Sequence, residues 1–191
     1  MNALFRPLLA ATITFLLLPT ESWSQTDAIT RLPVVISGGH ETDPRDHGRP
    51  VILVAGGLGV SPAVFREAFS RVHPVTAGSY PDQERARENK TVLLEALSKY
   101  GITNHKLDAV SDAYRYNPGS GKLWLAKPAV IAALVKNGKV ISYEVIDGGA
   151  GYSSPPKLSV PGARSGPVSA NLSFGQNLST NGSISSVTFL K

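Results

Sequence analysis

Near its C-terminal end the chain almost repeats itself. Asn137-Gly138-Lys139-Val140-Ile141-Ser142-Tyr143-Glu144-Val145-Ile146-Asp147 returns 44 positions later as Asn181-Gly182-Ser183-Ile184-Ser185-Ser186-Val187-Thr188-Phe189-Leu190-Lys191. Asn-Gly suits a two-residue type I′ turn, whose two central residues both need positive φ, so each copy predicts a β-hairpin. Two copies predict a repeated β architecture. The upstream strands would be Ala129 to Val135 and Val168 to Phe174. In the second, Val168, Ala170, Leu172 and Phe174 alternate with polar residues at the two-residue period of a half-buried strand. Its connection is the longer one, because Gly175 to Thr180 precede the Asn-Gly pair.

Before these units the apolar period is helical. Ser61 and Pro62 are suited to the N-cap and first position of a helix that puts Val64, Phe65, Ala68, Phe69 and Val72 on one face. A longer helix is predicted from about Pro81 to Tyr100, stopped by Gly101, and a third after a cap at Thr103 or Asn104, carrying Leu107, Val110 and Tyr114. Val51 to Ala55, ended by Gly56-Gly57-Leu58-Gly59, fits a buried strand or the first turns of a helix. Residues 25–50, with Gly38-Gly39, Pro44 and Pro50, read as a flexible polar arm.

Residues 1–24 read as a secretory signal: Arg6, an apolar run from Leu8 to Leu18, the breaker Pro19, and Ser22-Trp23-Ser24 before a cleavage point at Gln25. The run is too short to span a bilayer, which takes roughly 20 apolar residues. The chain has no Cys, which removes disulfides, thiolate metal sites and a Cys nucleophile. Export without disulfides favours a bacterial periplasmic or secreted protein. Residues 25–116 balance eleven Lys/Arg against eleven Asp/Glu, so the net charge of +5 falls entirely after residue 116. The expected organisation is α+β: signal 1–24, arm 25–50, a mainly helical region 51–120, and a small antiparallel β module 121–191 of two related hairpin units.

Between those units lies Gly148-Gly149-Ala150-Gly151-Tyr152-Ser153-Ser154-Pro155-Pro156-Lys157-Leu158-Ser159-Val160-Pro161-Gly162. Together with the Asn-Gly hairpin before it, this G-x-G-Y-x-x-P-P pattern resembles a short β repeat of secreted bacterial, adhesin-like and phage-fibre-like proteins. With Gly39 to Pro50 and Val64 to Phe69, the chain is similar to uncharacterised exported bacterial proteins that join a helical region to such a repeat. The resemblance implies export and architecture and carries over no catalytic residue. The chain stops at Lys191 before a second G-x-G-Y segment.

Three surfaces are candidates for function. The leading one is a non-enzymatic binding or structural surface on the β module around Tyr143, Gly151, Tyr152 and Lys157. The second is a metal-dependent hydrolase site from His40, Asp43, Asp46 and His47, since imidazoles and carboxylates can hold a divalent ion that activates water. Pro44 breaks the H-E-x-x-H pattern there, and the plainer expectation is a polar loop in which Asp43 and Asp46 cap turns and pair with Arg45 or Arg49. The third is a basic patch of Lys136, Lys139, Lys157 and Arg164 for a polyanion, with a cell-envelope polymer or polysaccharide as the expected partner. Sparse aromatic residues beside those cations speak against nucleic acid. No cofactor is implied. Gly57-Leu58-Gly59 lacks the third glycine of a dinucleotide loop, Gly119-Ser120-Gly121-Lys122 lacks the first glycine and the Ser/Thr of a P-loop, and two prolines bar Ser154 and Lys157 from sharing a helix.

Overall fold

The computed structural model describes residues 28–75, 81–115 and 123–191. The signal and its cleavage point and the P-loop-like Gly119 to Lys122 lie outside the described residues.

The architecture is α+β. The strands are β1 (Thr30–Pro33), β2 (Val35–Ser37), β3 (Val130–Lys136), β4 (Lys139–Asp147), β5 (Lys157–Ser159), β6 (Val168–Ser173) and β7 (Ser183–Phe189), and the helices α1 (Val51–Leu58), α2 (Pro62–Phe69), α3 (Gln83–Leu97) and α4 (Asn104–Ala113). Ladders run β1-β3-β4, β2-β5 and β6-β7, all antiparallel. β4 also lies against β7, and β5 against β6. Between the ladders Ile131, Tyr152, Ala170 and Ile184 meet Val34, Ile36, Val145, Leu158, Leu172 and Val187, and Ala133, Val135, Val140 and Val160 form a second apolar cluster.

The helices begin and end where local chemistry dictates. Ser61 Oγ accepts from Val64 N–H, Asp82 caps α3 through Arg85 N–H, and Thr103 caps α4 through Lys106 N–H. α3 ends in a 3-10 turn, Ser98–Tyr100, closed by Gly101 at φ 73°. α1 settles the ambiguous apolar run as a helix. It is apolar all round and accordingly sits inside the helical layer, against α2 and α4. Gly56 and Gly57 carry no side chain where the β module approaches: a Cβ on Gly56 would lie 2.6 Å from Asn181 Oδ1, and one on Gly57 would lie 3.1 Å from Leu178. Among the described residues no helix is long and apolar enough to cross a membrane.

Two expectations are corrected. Residues 30–37 are no flexible arm but two strands of the β module. Thr30 pairs with Val135 and Val35 with Ser159, leaving Pro33 at a strand end, where its missing N–H is tolerated. The β module therefore draws on both ends of the described chain. The second correction concerns the repeat. Asn137 (φ 52°) and Gly138 (φ 71°) form the tight turn between Lys136 and Lys139, whereas at the second pair only Gly182 has positive φ and β6 and β7 are joined through residues 174–182.

That second Asn serves a different purpose. Asn181 is 1 % exposed; its Nδ2 donates to Leu53 O (2.7 Å) and to Tyr114 Oη (2.9 Å), and its Oδ1 accepts from Gly175 N–H (3.0 Å). Its carbonyl accepts from Gly151 N–H, and that of Gly182 from Tyr152 N–H. One side chain thus ties α1, α4 and the β6-β7 connection together, with its polar groups satisfied internally as burial requires. Phe174 and Leu178 from the same connection add apolar contact with the helical core.

Candidate functional site

A polar cleft with an apolar lining stands beside the loop that carries the His40 to His47 cluster. It lies where the loop after β2 meets α2, has a volume of about 310 Å³, and is lined by Arg45, Asp46, His47, Arg49, Val51, Arg66, Phe69, Ser70, Val72 and Pro74. The loop is rigidified from within. Asp43 accepts from Arg45 N–H at the start of a 3-10 turn, Pro44–Asp46, and pairs with the Arg45 guanidinium at 2.6 and 3.0 Å. Buried Asp46 receives both Nε and Nη2 of Arg66, at 2.7 and 2.8 Å, in the bidentate geometry that suits guanidinium to carboxylate. Arg45 holds the Asp43 carboxyl far below the usual carboxylate range, and Asp46 pushes the Arg66 guanidinium up.

Arg49 is arranged differently. Its guanidinium stands 4.7 Å from the centroid of the Phe69 ring and donates to the carbonyl of Asp46, and it meets no carboxylate among the described residues. His47 caps the 3-10 turn in the left-handed conformation, φ 49°, with its side chain exposed at the cleft.

The four residues of the metal reading are not brought to one point. Asp43 and Asp46 converge on Arg66, His47 stays at the cleft, and His40 leaves for the β module. There its ring stacks on Tyr152 at 5.3 Å, 8° from parallel, and its Nδ1 lies 3.2 Å from Gly151 O. Because a carbonyl only accepts, that nitrogen carries the hydrogen. Among the described residues no three His, Asp or Glu side chains are grouped to hold a metal ion. The plainer expectation holds for Asp43, which caps and pairs with Arg45; Asp46 takes Arg66 in place of Arg49.

The leading surface is corrected as well. Tyr152 is 4 % exposed, its hydroxyl accepts from Ala129 N–H (3.0 Å), and its ring belongs to the β interior. Gly151, also buried, accepts at its carbonyl from Trp124 Nε1 (2.8 Å) and sits too close to Ala126 to carry a side chain. Its neighbours Ser153 and Ser154 donate their backbone N–H groups to Gly39 O, while the Ser154 hydroxyl bonds the Glu41 carboxylate and lowers its pKa. The Gly38 to Glu41 and Gly151 to Pro156 segments are therefore two halves of one internal joint. Tyr143 is half-buried, bonded to Ser165 Oγ (2.8 Å) and packed on Phe189; Lys157 alone of the four is exposed.

The basic residues divide. Lys136 and Lys139 face each other across the tight turn, and Arg164 is clamped beside them: its N–H donates to Gly138 O (2.8 Å) and its carbonyl accepts from Val140 N–H (2.9 Å). Lys157 pairs with Ser37, at the opposite end of the strands that start at Thr30 beside Val135. Three of the four cations thus share one hairpin end. Lys139 and Arg164 have no carboxylate within 4.0 Å among the described residues, whereas Asp147 is taken by Lys127 (2.5 Å) and Glu144 by Arg31 (2.7 Å).

Reading the sequence alone missed the cleft. Arg66 and Phe69 stand one helical turn apart on α2, and the alternating charges from Asp43 to Arg49 could have paired with that face, but only the chain's return after α1 shows that they do. In comparisons with family models, characterised proteins and solved structures, the chain finds no match.

Proposed function

We propose that this chain is an exported, non-enzymatic binding module acting at the cell envelope or outside the cell, and that the end of the β3-β4 hairpin meets an acidic polymer there. Export follows from the reading of residues 1–24 as a secretory signal. One observation carries the binding surface: main-chain bonds fix Arg164 beside the hairpin turn that Lys136 and Lys139 flank, and among the described residues no carboxylate lies within 4.0 Å of Lys139 or Arg164. Exposed cations such as Lys139 and Arg164, held side by side, focus a positive field that an external polyanion neutralises. Separation of His40 from Asp43 and Asp46 weighs against the metal-dependent hydrolase.

The test is retention on an immobilised sulfated polysaccharide as a function of salt. Each cation that displaces a counterion contributes about 0.7 to 0.9 to the slope of log affinity against log salt. Lys139→Ala with Arg164→Ala should therefore flatten the slope by about 1.4 to 1.8, whereas Lys157→Ala should change it little. Retention of the double variant at wild-type strength and slope would refute this surface.

A further inference from the structure

We infer that the cleft between the 43–51 loop and α2 is a second binding site, for a small organic monocarboxylate. Its charges favour a single negative group: Arg45, Arg49 and Arg66 line or border it against Asp43 and Asp46, leaving one positive charge over. The surplus belongs to Arg49. The two carboxylates are occupied by Arg45 and Arg66, whereas Arg49 rests against Phe69, so its remaining N–H groups are available to a carboxylate's two oxygens.

Val51, Phe69, Val72 and Pro74 give the same cleft an apolar lining, so the carboxylate should be attached to a hydrocarbon or aromatic body. A volume of about 310 Å³ is at the small end of ligand sites. Two structural costs are kept at this place. Arg49 is held half-buried without a carboxylate partner among the described residues, and His47 is left-handed where glycine would serve. A carboxylate bound to Arg49 offsets the first, and His47 lines the same cleft. The site is independent of the hairpin cations.

The experiment is a titration of the purified full-length chain with benzoate, followed by the guanidinium NMR signals of Arg49 and by calorimetry, with benzamide and inorganic phosphate as comparators. Saturable binding of benzoate is expected, with benzamide about tenfold or more weaker because it lacks the charge. Arg49→Gln should lower benzoate affinity by a similar factor with wild-type thermal unfolding, and Lys139→Ala/Arg164→Ala should leave it unchanged. The inference is overturned if benzoate gives no saturable response in the wild-type chain, or if benzamide or phosphate binds as well as benzoate. The benzamide comparison uses the wild-type chain alone and so holds even if the Arg49 variant fails to fold.

Discussion

Replacing Asn181 by Ala tests whether one amide holds the helical layer to the β module. The change removes two donated bonds, to the Leu53 carbonyl and the Tyr114 hydroxyl, and one accepted from Gly175 N–H. Gly175 is exposed and its N–H can turn to water, and the Leu53 carbonyl, in the first turn of α1, keeps its intrahelical bond, but the Tyr114 hydroxyl, on a residue 3 % exposed, loses a donor that solvent does not replace. A buried orphan costs about 1 to 3 kcal/mol and the lost bond to Leu53 about 1 more, so a loss of about 3 kcal/mol is expected, roughly a hundredfold in the folding equilibrium. In a domain of this size the melting temperature should fall by about 6 to 12 °C.

Urea unfolding followed by circular dichroism and by Trp124 fluorescence measures it. Trp124 donates to Gly151 O, and Gly151 donates to Asn181 O, so the fluorophore reports on the same joint. Tyr114→Phe supplies the control. Alone it should cost about 1 kcal/mol, and in the Asn181→Ala background it should cost nothing or restore stability, because it removes the orphaned hydroxyl. A loss below about 1 kcal/mol for Asn181→Ala, or equal costs of Tyr114→Phe in both backgrounds, would refute the reasoning.

Two further outcomes are expected. His47→Gly relieves a left-handed backbone that costs a side chain about 1 to 2 kcal/mol, so urea denaturation should show a gain of about 1 kcal/mol, and a loss would show that the imidazole makes compensating contacts. Asp147 is held below its ordinary value of 3.8 first by the Lys127 ammonium and then by Gly149 N–H. A carboxyl lowered on folding stabilises the chain above its unfolded pKa and loses that contribution as pH falls through the folded value. Asp147→Asn should therefore be less stable than wild type at pH 7 and lose less on acidification from about pH 4 to pH 2, while a parallel acid limb would exclude the pair as a source of acid sensitivity.

Much of the local structure was legible in the residues. Ser61-Pro62 opens α2, Thr103 opens α4, Gly101 closes the turn after α3 and Asn137-Gly138 makes the tight hairpin turn. Each depends on torsion preferences and hydrogen bonds within three or four positions, which the sequence specifies directly. The pairing of residues 30–37 was not legible in that way. Leu32, Val34 and Ile36 do alternate, but Pro33 and the glycines that follow read as breakers, and only the free edges of β3 and β5 give these residues partners.

The candidate sites divide along the same line. Sequence alone determined an α+β chain, the basic balance of its C-terminal part and the Lys136/Lys139 flank of a turn, because composition and short-range spacing carry those properties. Tertiary structure decided that Arg164 joins that flank while Lys157 lies apart, that His40 leaves Asp43 and Asp46, and that two like Asn-Gly pairs differ. Asn137 stands at an exposed turn, where positive φ is the local solution; Asn181 meets Leu53 and Tyr114, 128 and 67 positions away, and there burial sets its conformation and its partners. The energy of a buried polar group depends on what surrounds it, and its surroundings come from distant parts of the chain.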